Sequence, residues 1–305
     1  SAHGFTEKGT YTVTATADKT IDTYTITYNL DSGTVSTANP TSYTVETATF
    51  TLNNPTKTGY TFTGWTGSNG TTAQTTVTIA KGSTGNKTYT ANWSINKFTV
   101  NIVSNNTAYG TVDVAKVDNV PYGSKVTVSG NTITVNGTKV TATATANTAQ
   151  YTYAFSSWSL ANNATITGAT TVTATFTQTV NKYTVTIAVN NANYGSVSQT
   201  SVKDVPYGTT LTANSSVVTI NGTKVTATVK ELAGYTTTFS SWTNGTATVK
   251  GNLTVTANFA RDTIKYTITY NLNGGTVATA NPTTYTIETA TFTLNNPTKN
   301  GYTFT

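Results

Sequence analysis

His3 is the only histidine in the 305 residues, and there is no cysteine. A Ser-His-Asp relay or a histidine–cysteine metal site would have to be assembled around that one imidazole near the start of the sequence. The acids are Glu7, Asp18, Asp22, Asp31, Glu46, Asp113, Asp118, Asp204, Glu231, Asp262 and Glu288, spread thinly along the chain. Glycoside hydrolysis requires two carboxylates within reach of one another, and no stretch offers such a pair in a pocket-forming context. The residues therefore predict no catalytic residue, no metal ligand and no cofactor, and the chain is expected not to be an enzyme.

Four weaker chemistries have a handle in the sequence. Asp18 and Asp22 flank one inter-repeat junction and Asp262 another, as calcium-binding junctions would need, but the EF-hand pattern is absent. The corresponding segments after Trp93 (Ser-Ile-Asn-Lys) and after Phe176 (Thr-Gln-Thr-Val-Asn-Lys) carry no acid, so solvated linkers are expected. Glu46 and Glu288 occupy equivalent positions, where a buried carboxylate would assist a Lys–Asn isopeptide bond. Glycosylation sequons begin at Asn69, Asn86, Asn92, Asn105, Asn136, Asn163, Asn214, Asn221, Asn244 and Asn252, a number expected from chance in a chain so rich in Asn and Thr. Tyr109, Tyr122, Tyr194 and Tyr207 fall in turns, where exposed rings would suit sugar stacking.

The elements that must position these residues are strands. Thr makes up about a quarter of the chain, and with Val and Tyr it favours a pleated, half-buried surface. Segments such as YTITYNL, FTVNIV, YTVTIAV and VTATVK alternate with period two between Asn-Gly, Ser-Gly, Tyr-Gly and Gly-Gly turns. No stretch has helical periodicity, so helix should be minor.

Internal repetition sets the organisation. Tyr24–Thr63 returns nearly unchanged as Tyr266–Thr305, an offset of 242 residues, and TEKGTYTVTATA from Thr6 aligns with TVKGNLTVTANF from Thr248 at the same offset. Two related units lie between: VPYG recurs at Val120 and Val205, and NGTKVTAT at Asn136 and Asn221, each 85 residues apart. The expected boundaries are 1–22 (closing strand of a preceding repeat), 23–96, 97–181, 182–263 and 264–305 (the first half of a further repeat). Because both ends fall inside repeats, the chain reads as a window on a longer array. The alternative is that the first strand of one copy completes the last half-repeat of another.

Units of about 80 residues bury a limited core and here lack disulfides, so large aromatics must supply much of the stability, each contributing about 1.5–3 kcal/mol when buried. Trp65, Trp93, Trp158 and Trp242 sit at corresponding late positions in their units and are expected to be core anchors, while Trp93, Phe176 and Phe259 each end the closing strand of a unit. The formal charge is +6, but the lysines are scattered and Arg261 is the sole arginine. Nucleic-acid sites cluster basic residues and use Arg forks, so no nucleic-acid partner is expected, and the lysines are read as guards of sheet edges. No apolar run reaches a membrane span, so no membrane insertion is expected in this segment. The lack of Cys and Met suits an extracellular or cell-surface location.

With YTITYNLDSGT, the Asn-Pro at Asn39, NNPTKTGYTFTGW from Asn53 to Trp65 and TYTANW from Thr88, residues Tyr24–Trp93, and again Tyr266 onward, closely resemble the Listeria–Bacteroides repeat, also called the internalin B-repeat. The middle units resemble its divergent relatives through their opening strand, the Tyr-Gly turns at Tyr109 and Tyr194, VPYG and SSW. Ser32 departs from the family's Gly-Gly, which the second copy retains at Gly274 and Gly275; the extra strand material around NGTKV leaves the strand order of the middle units open. The resemblance implies a β-grasp-like fold in each repeat, strung as stalk domains in secreted or cell-surface proteins, with no catalytic residue. Within the motif, Gly59 is expected to form a positive-φ turn before the YTF strand, and Gly64 to let the chain bend as Trp65 turns inward.

The fold class expected is mainly β: a tandem array of small β-grasp-like repeat domains joined by short linkers. The function expected is a non-enzymatic structural segment of a long repetitive surface protein, forming a fibre by tandem and lateral packing, with self-association between neighbouring copies. The alternative is the stalk of a surface adhesin that displays a distal binding domain. A cell-surface or glycan partner is a further possibility, carried by the turn tyrosines.

Overall fold

The computed structural model describes Gly9, Thr10, Thr12, Thr14 and residues 19–305. Among the described residues every regular element is a strand. The expected closing strand within 1–22, with His3 and Asp18, lies largely outside them. The chain divides into two compact units, one of the described residues to 105 with 111–143 and 156–175, the other of 106–110, 144–155 and 176–305.

The first repeat contains β1 (Tyr24–Asn29), β2 (Ser42–Tyr43), β3 (Phe50–Thr51), β4 (Tyr60–Gly67), β5 (Gly70–Gln74), β6 (Thr78–Ile79) and β7 (Lys87–Ile95). Its main sheet has the order β2-β1-β7-β4-β5. The opening strand β1 lies parallel to the closing strand β7, with Ile26 opposite Lys87 and Tyr28 opposite Tyr89. Because parallel neighbours cannot be joined by a hairpin, the chain between them must cross over, adding β2, β4 and β5 to the sheet and sending β3 and β6 out of it. That crossover brings β3 and β6 together and closes the core of Ile26, Tyr43, Leu52, Trp65, Val77, Ile79, Tyr89 and Ala91.

The second repeat holds β8 (Lys97–Ser104), β9 (Gly110–Val112), β10 (Lys116–Pro121), β11 (Thr127–Ser129), β12 (Thr132–Val135), β13 (Thr138–Ala144), β14 (Tyr151–Trp158) and β15 (Thr170–Val180). The third holds β16 (Lys182–Val189), β17 (Gly195–Val197), β18 (Ser201–Pro206), β19 (Thr212–Asn214), β20 (Val217–Ile220), β21 (Thr223–Val229), β22 (Tyr235–Thr243) and β23 (Leu253–Thr263). Each has a main sheet, β10-β8-β15-β14 or β18-β16-β23-β22, again with opening and closing strands parallel and adjacent. The NGTKV material forms a second antiparallel sheet, β11-β12-β13-β9 or β17-β21-β20-β19. This fixes the strand order that the sequence left open. In the third repeat Val185, Ile187, Val205, Val218, Ile220, Val225 and Val255, drawn from both sheets, share one core. The alternating Thr-Val pattern follows from this layering: valines face the partner sheet and threonines face water.

The last segment has β24 (Tyr266–Thr267) paired with β25 (Thr284–Tyr285). Tyr285 is 42% exposed where its counterpart Tyr43 is 3%, and Leu294 is 49% exposed where Leu52 is 4%. Residues 266–305 carry no counterpart of β7, the strand on which that core closes.

Three of the four tryptophans are equivalent. Trp65, Trp158 and Trp242 lie on β4, β14 and β22, each the sheet neighbour of the closing strand on the side away from the opening strand. Trp93 instead lies on the closing strand, at the position of Phe176 and Phe259, which corrects the equivalence expected for all four. Those three closing aromatics share a device: each ring fills the space where a Cβ would stand on a glycine of the same repeat, Gly33, Gly110 or Gly195. The turn and bend glycines behave as their positions predict. Gly59 has φ +80° in the turn before β4, and Gly64 has φ +135° at the register shift where β4 bulges against β7. Trp65, the next residue, is fully buried.

Candidate functional site: the repeat junctions

Closing and opening strands meet with a single residue between them. β7 ends at Ile95 and β8 begins at Lys97, with Asn96 between; β15 ends at Val180 and β16 begins at Lys182, with Asn181 between. The expected linkers of a few residues are thus largely strand. The half-buried Asn96 donates its backbone N–H to the Gly59 carbonyl (2.9 Å) and accepts from the Tyr122 N–H (2.8 Å). Its side-chain Oδ1 accepts from the Thr61 hydroxyl at 2.6 Å. Asn181 makes the same three contacts one repeat later, with the Gln150 carbonyl (2.9 Å), the Tyr207 N–H (2.8 Å) and the Thr152 hydroxyl (2.6 Å). Its Nδ2 also donates to the carbonyls of Thr148 and Ala149.

Tyr122 and Tyr207, read from sequence as open turn residues suited to sugar stacking, are half-buried and take part in these junctions. The Tyr122 ring lies on the backbone of Gly59, in the space a Cβ would need. Tyr109 packs 5.8 Å from the Tyr153 ring, and Tyr194 faces the Arg261 guanidinium at 5.3 Å. No sequence signal announced these junction roles except the recurrence of Asn-Lys-aromatic-Thr-Val at Asn96 and Asn181.

The junction into the last segment uses other side chains in the same places. Ile264 N–H donates to the Gly234 carbonyl at 2.9 Å, and Ile287 occupies the Cβ space of Gly234. Arg261 lies over the Tyr235 ring at 4.2 Å, while Glu288 accepts from the Tyr235 hydroxyl at 3.0 Å and sits 3.5 Å from Arg261. That hydrogen bond to a carboxylate is the main cause of an upward shift in the Tyr235 pKa. An open groove of about 700 Å³ adjoins this junction, lined by Lys230, Glu231, Leu232, Gly234, Tyr235 and Ile264 among others. Its one ammonium is engaged, since Lys230 donates to the Ala192 carbonyl at 2.9 Å.

The other sequence candidates do not converge. Glu46 and Glu288 are both exposed, so neither is the buried carboxylate an isopeptide bond requires. Among the described residues no three His, Cys, Asp or Glu side chains gather as a metal site would need. Of the sequons, those at Asn136 and Asn221 occupy exposed hairpin tips with φ +46°, whereas the Asn92 amide is spent on Gly64, Thr66 and Thr90. Lysines mark outer strands of the main sheets, as at Lys116 on β10 and Lys203 on β18, and others lie elsewhere. Among the described residues no helix is long and apolar enough to cross a membrane.

The repeated strand order and shared glycine–aromatic sockets bring the comparison with known families into focus. Residues 24–92 and 266–305 match the Listeria-Bacteroides repeat domain. These are the first repeat and the last segment; the second and third repeats, with their added sheet, fall outside the match. The matched residues 24–92 include β1 to β6, most of β7 and both Gly59 and Gly64, and Trp93 lies one residue beyond them. A comparison with curated proteins finds no match.

Proposed function

We propose that the chain is a non-enzymatic structural segment of a long repetitive extracellular or cell-surface protein, built into a fibre by tandem and lateral packing of its β repeats. The observation that carries this reading is the reuse of one junction: Asn96 and Asn181 make the same three contacts at consecutive repeat boundaries. A chain selected for a binding pocket has no need of identical boundaries, whereas an array that must continue indefinitely does. The exposed outer strand Gly70–Gln74 supports lateral packing, because its free backbone groups suit pairing with a neighbouring copy. The surface location rests on the resemblance to repeats of surface proteins and on the Cys-free composition. Each repeat is a helix-free variant of the β-grasp, a reading supported by the parallel opening and closing strands at the sheet centre.

Electron microscopy of the native material with periodicity analysis tests this. An axial repeat containing a whole number of 242-residue cycles, with many copies in lateral contact, is the expected result. Isolated strings of domains would overturn the fibre and leave the adhesin stalk.

A further inference from the structure

We propose that consecutive repeats are fused into one mechanical body by a residue lock, so that the linker is not a hinge. The lock has two parts 26 residues apart in sequence, Asn96 with Tyr122 and Asn181 with Tyr207. The asparagine ties three segments at once: the turn before β4 or β14 of one repeat, that strand's first threonine, and the turn residue that follows β10 or β18 of the next repeat. Backbone donor, backbone acceptor and side-chain acceptor are all used, so rotating either repeat about the linker breaks several hydrogen bonds together. At the first boundary the tyrosine adds steric exclusion, since its ring fills the volume above Gly59 that any other residue's Cβ would occupy. A one-residue linker has no slack with which to preserve these contacts during bending.

The boundary into residues 264–305 keeps the same architecture with different chemistry. Ile287 takes the place of the tyrosine against Gly234, and Glu288 closes onto Tyr235 and Arg261. Equivalent positions are therefore occupied at each boundary even where the side chains differ, which is what a lock requires and what a passive linker does not.

The absence of cysteine makes the test clean, because labels can be placed at will. In the full chain, spin labels at Thr71→Cys and Lys139→Cys report across the first junction, and labels at Thr27→Cys and Thr71→Cys report within the first repeat; all three positions are exposed. The lock predicts cross-junction and within-repeat distance distributions of equal width. Combining Asn96→Ala with Tyr122→Ser should broaden the cross-junction distribution at least about twofold and leave the within-repeat one unchanged. A cross-junction distribution broader than the within-repeat one in the parent chain overturns the proposal outright. So does a width that stays the same in the double variant. If the double variant also broadens the within-repeat distance, Thr61→Val, which removes only the hydroxyl donated to Asn96, replaces it under the same criterion. The measurement is made on single chains, so failure of lateral assembly and failure of the lock are separate results.

Discussion

Asn39 reads the peptide group of Asn53 as a neighbouring strand would: its Nδ2 donates to the Asn53 carbonyl at 2.9 Å while its Oδ1 accepts the Asn53 N–H at 2.7 Å. The residue after Asn39 is Pro40, which has no N–H to donate, so the amide of the preceding side chain takes over the backbone's pairing role. Asn281 and Asn295 make the same pair at 3.0 and 2.7 Å. The device recurs in the third repeat, where Asn190 holds the peptide of Phe259 through both side-chain atoms. Abundant asparagine thus has a structural use that composition alone does not disclose.

Asn39 is 8% exposed, so truncating it leaves the Asn53 peptide without its partner in a poorly solvated place. Asn39→Ala should destabilise the first repeat by about 1–3 kcal/mol. Chemical denaturation of the 305-residue chain, followed by tryptophan fluorescence, reads the change. A loss below a few tenths of a kcal/mol would mean that water replaces the amide at no cost.

Trp65 is fully buried, packed edge-on against Tyr28, Phe62 and Tyr89, and its Nε1 donates to Asn54 Oδ1 at 3.0 Å. Trp65→Ala should cost about 3–5 kcal/mol, enough to unfold the repeat at moderate denaturant. Asn54→Ala, which removes this bond and the one from Asn54 Nδ2 to the Thr75 carbonyl, should cost about 2 kcal/mol. Circular dichroism melts of the two variants give the comparison, and equal losses would contradict a packing-dominated role for the indole.

Ser32 sits at φ +66°, where the other copy of the motif has Gly274 at φ +75°. A non-glycine residue in this left-handed region carries a penalty of about 1–2 kcal/mol. Ser32→Gly should therefore stabilise the first repeat, by about 1 kcal/mol once the greater freedom of glycine in the unfolded chain is deducted. A thermal midpoint at or below that of the parent would show that Ser32 contributes something the turn geometry does not.

Tyr28 has its pKa raised to about 12, first by burial and then by the neighbouring Tyr89. Its neutral hydroxyl donates to the Pro40 carbonyl at 2.9 Å, a bond the phenolate cannot make. The folded state therefore keeps the proton where the unfolded chain, with an ordinary value of 10.0, gives it up. The associated stability is fully present below the unfolded value and is lost as pH rises through the folded one. Stability measured from about pH 9 to about pH 11.5 should fall less steeply in Tyr28→Phe than in the parent. Parallel pH profiles would assign alkaline unfolding to other groups, Tyr89 among them, whose pKa burial also raises.

Much of the architecture is legible in local sequence. Period-two Thr-Val alternation gives strands, Asn-Gly and Tyr-Gly pairs give turns, and Gly59 and Gly64 announce the positive φ angles they adopt, because each of these depends on a few neighbouring residues. The repeat boundaries follow from recurrence. What sequence reading placed wrongly was Trp93, grouped with the other tryptophans by residue type. Its equivalents, Phe176 and Phe259, were legible as the aromatics that end the closing strands, and the structure decides for that alignment by setting all three rings over Gly33, Gly110 and Gly195.

The sequence by itself determined that this is a strand-rich repeat chain whose large aromatics serve the cores, because period-two alternation and recurrence can be read locally. Only the tertiary structure decided that opening and closing strands lie side by side and parallel, since that pairing joins residues about 60 apart and no local pattern encodes it. The half-buried junction roles of Tyr122 and Tyr207 were decided in the same way. A turn tyrosine is open or engaged according to what the preceding repeat presents to it, and that surface is assembled from segments far away in the chain.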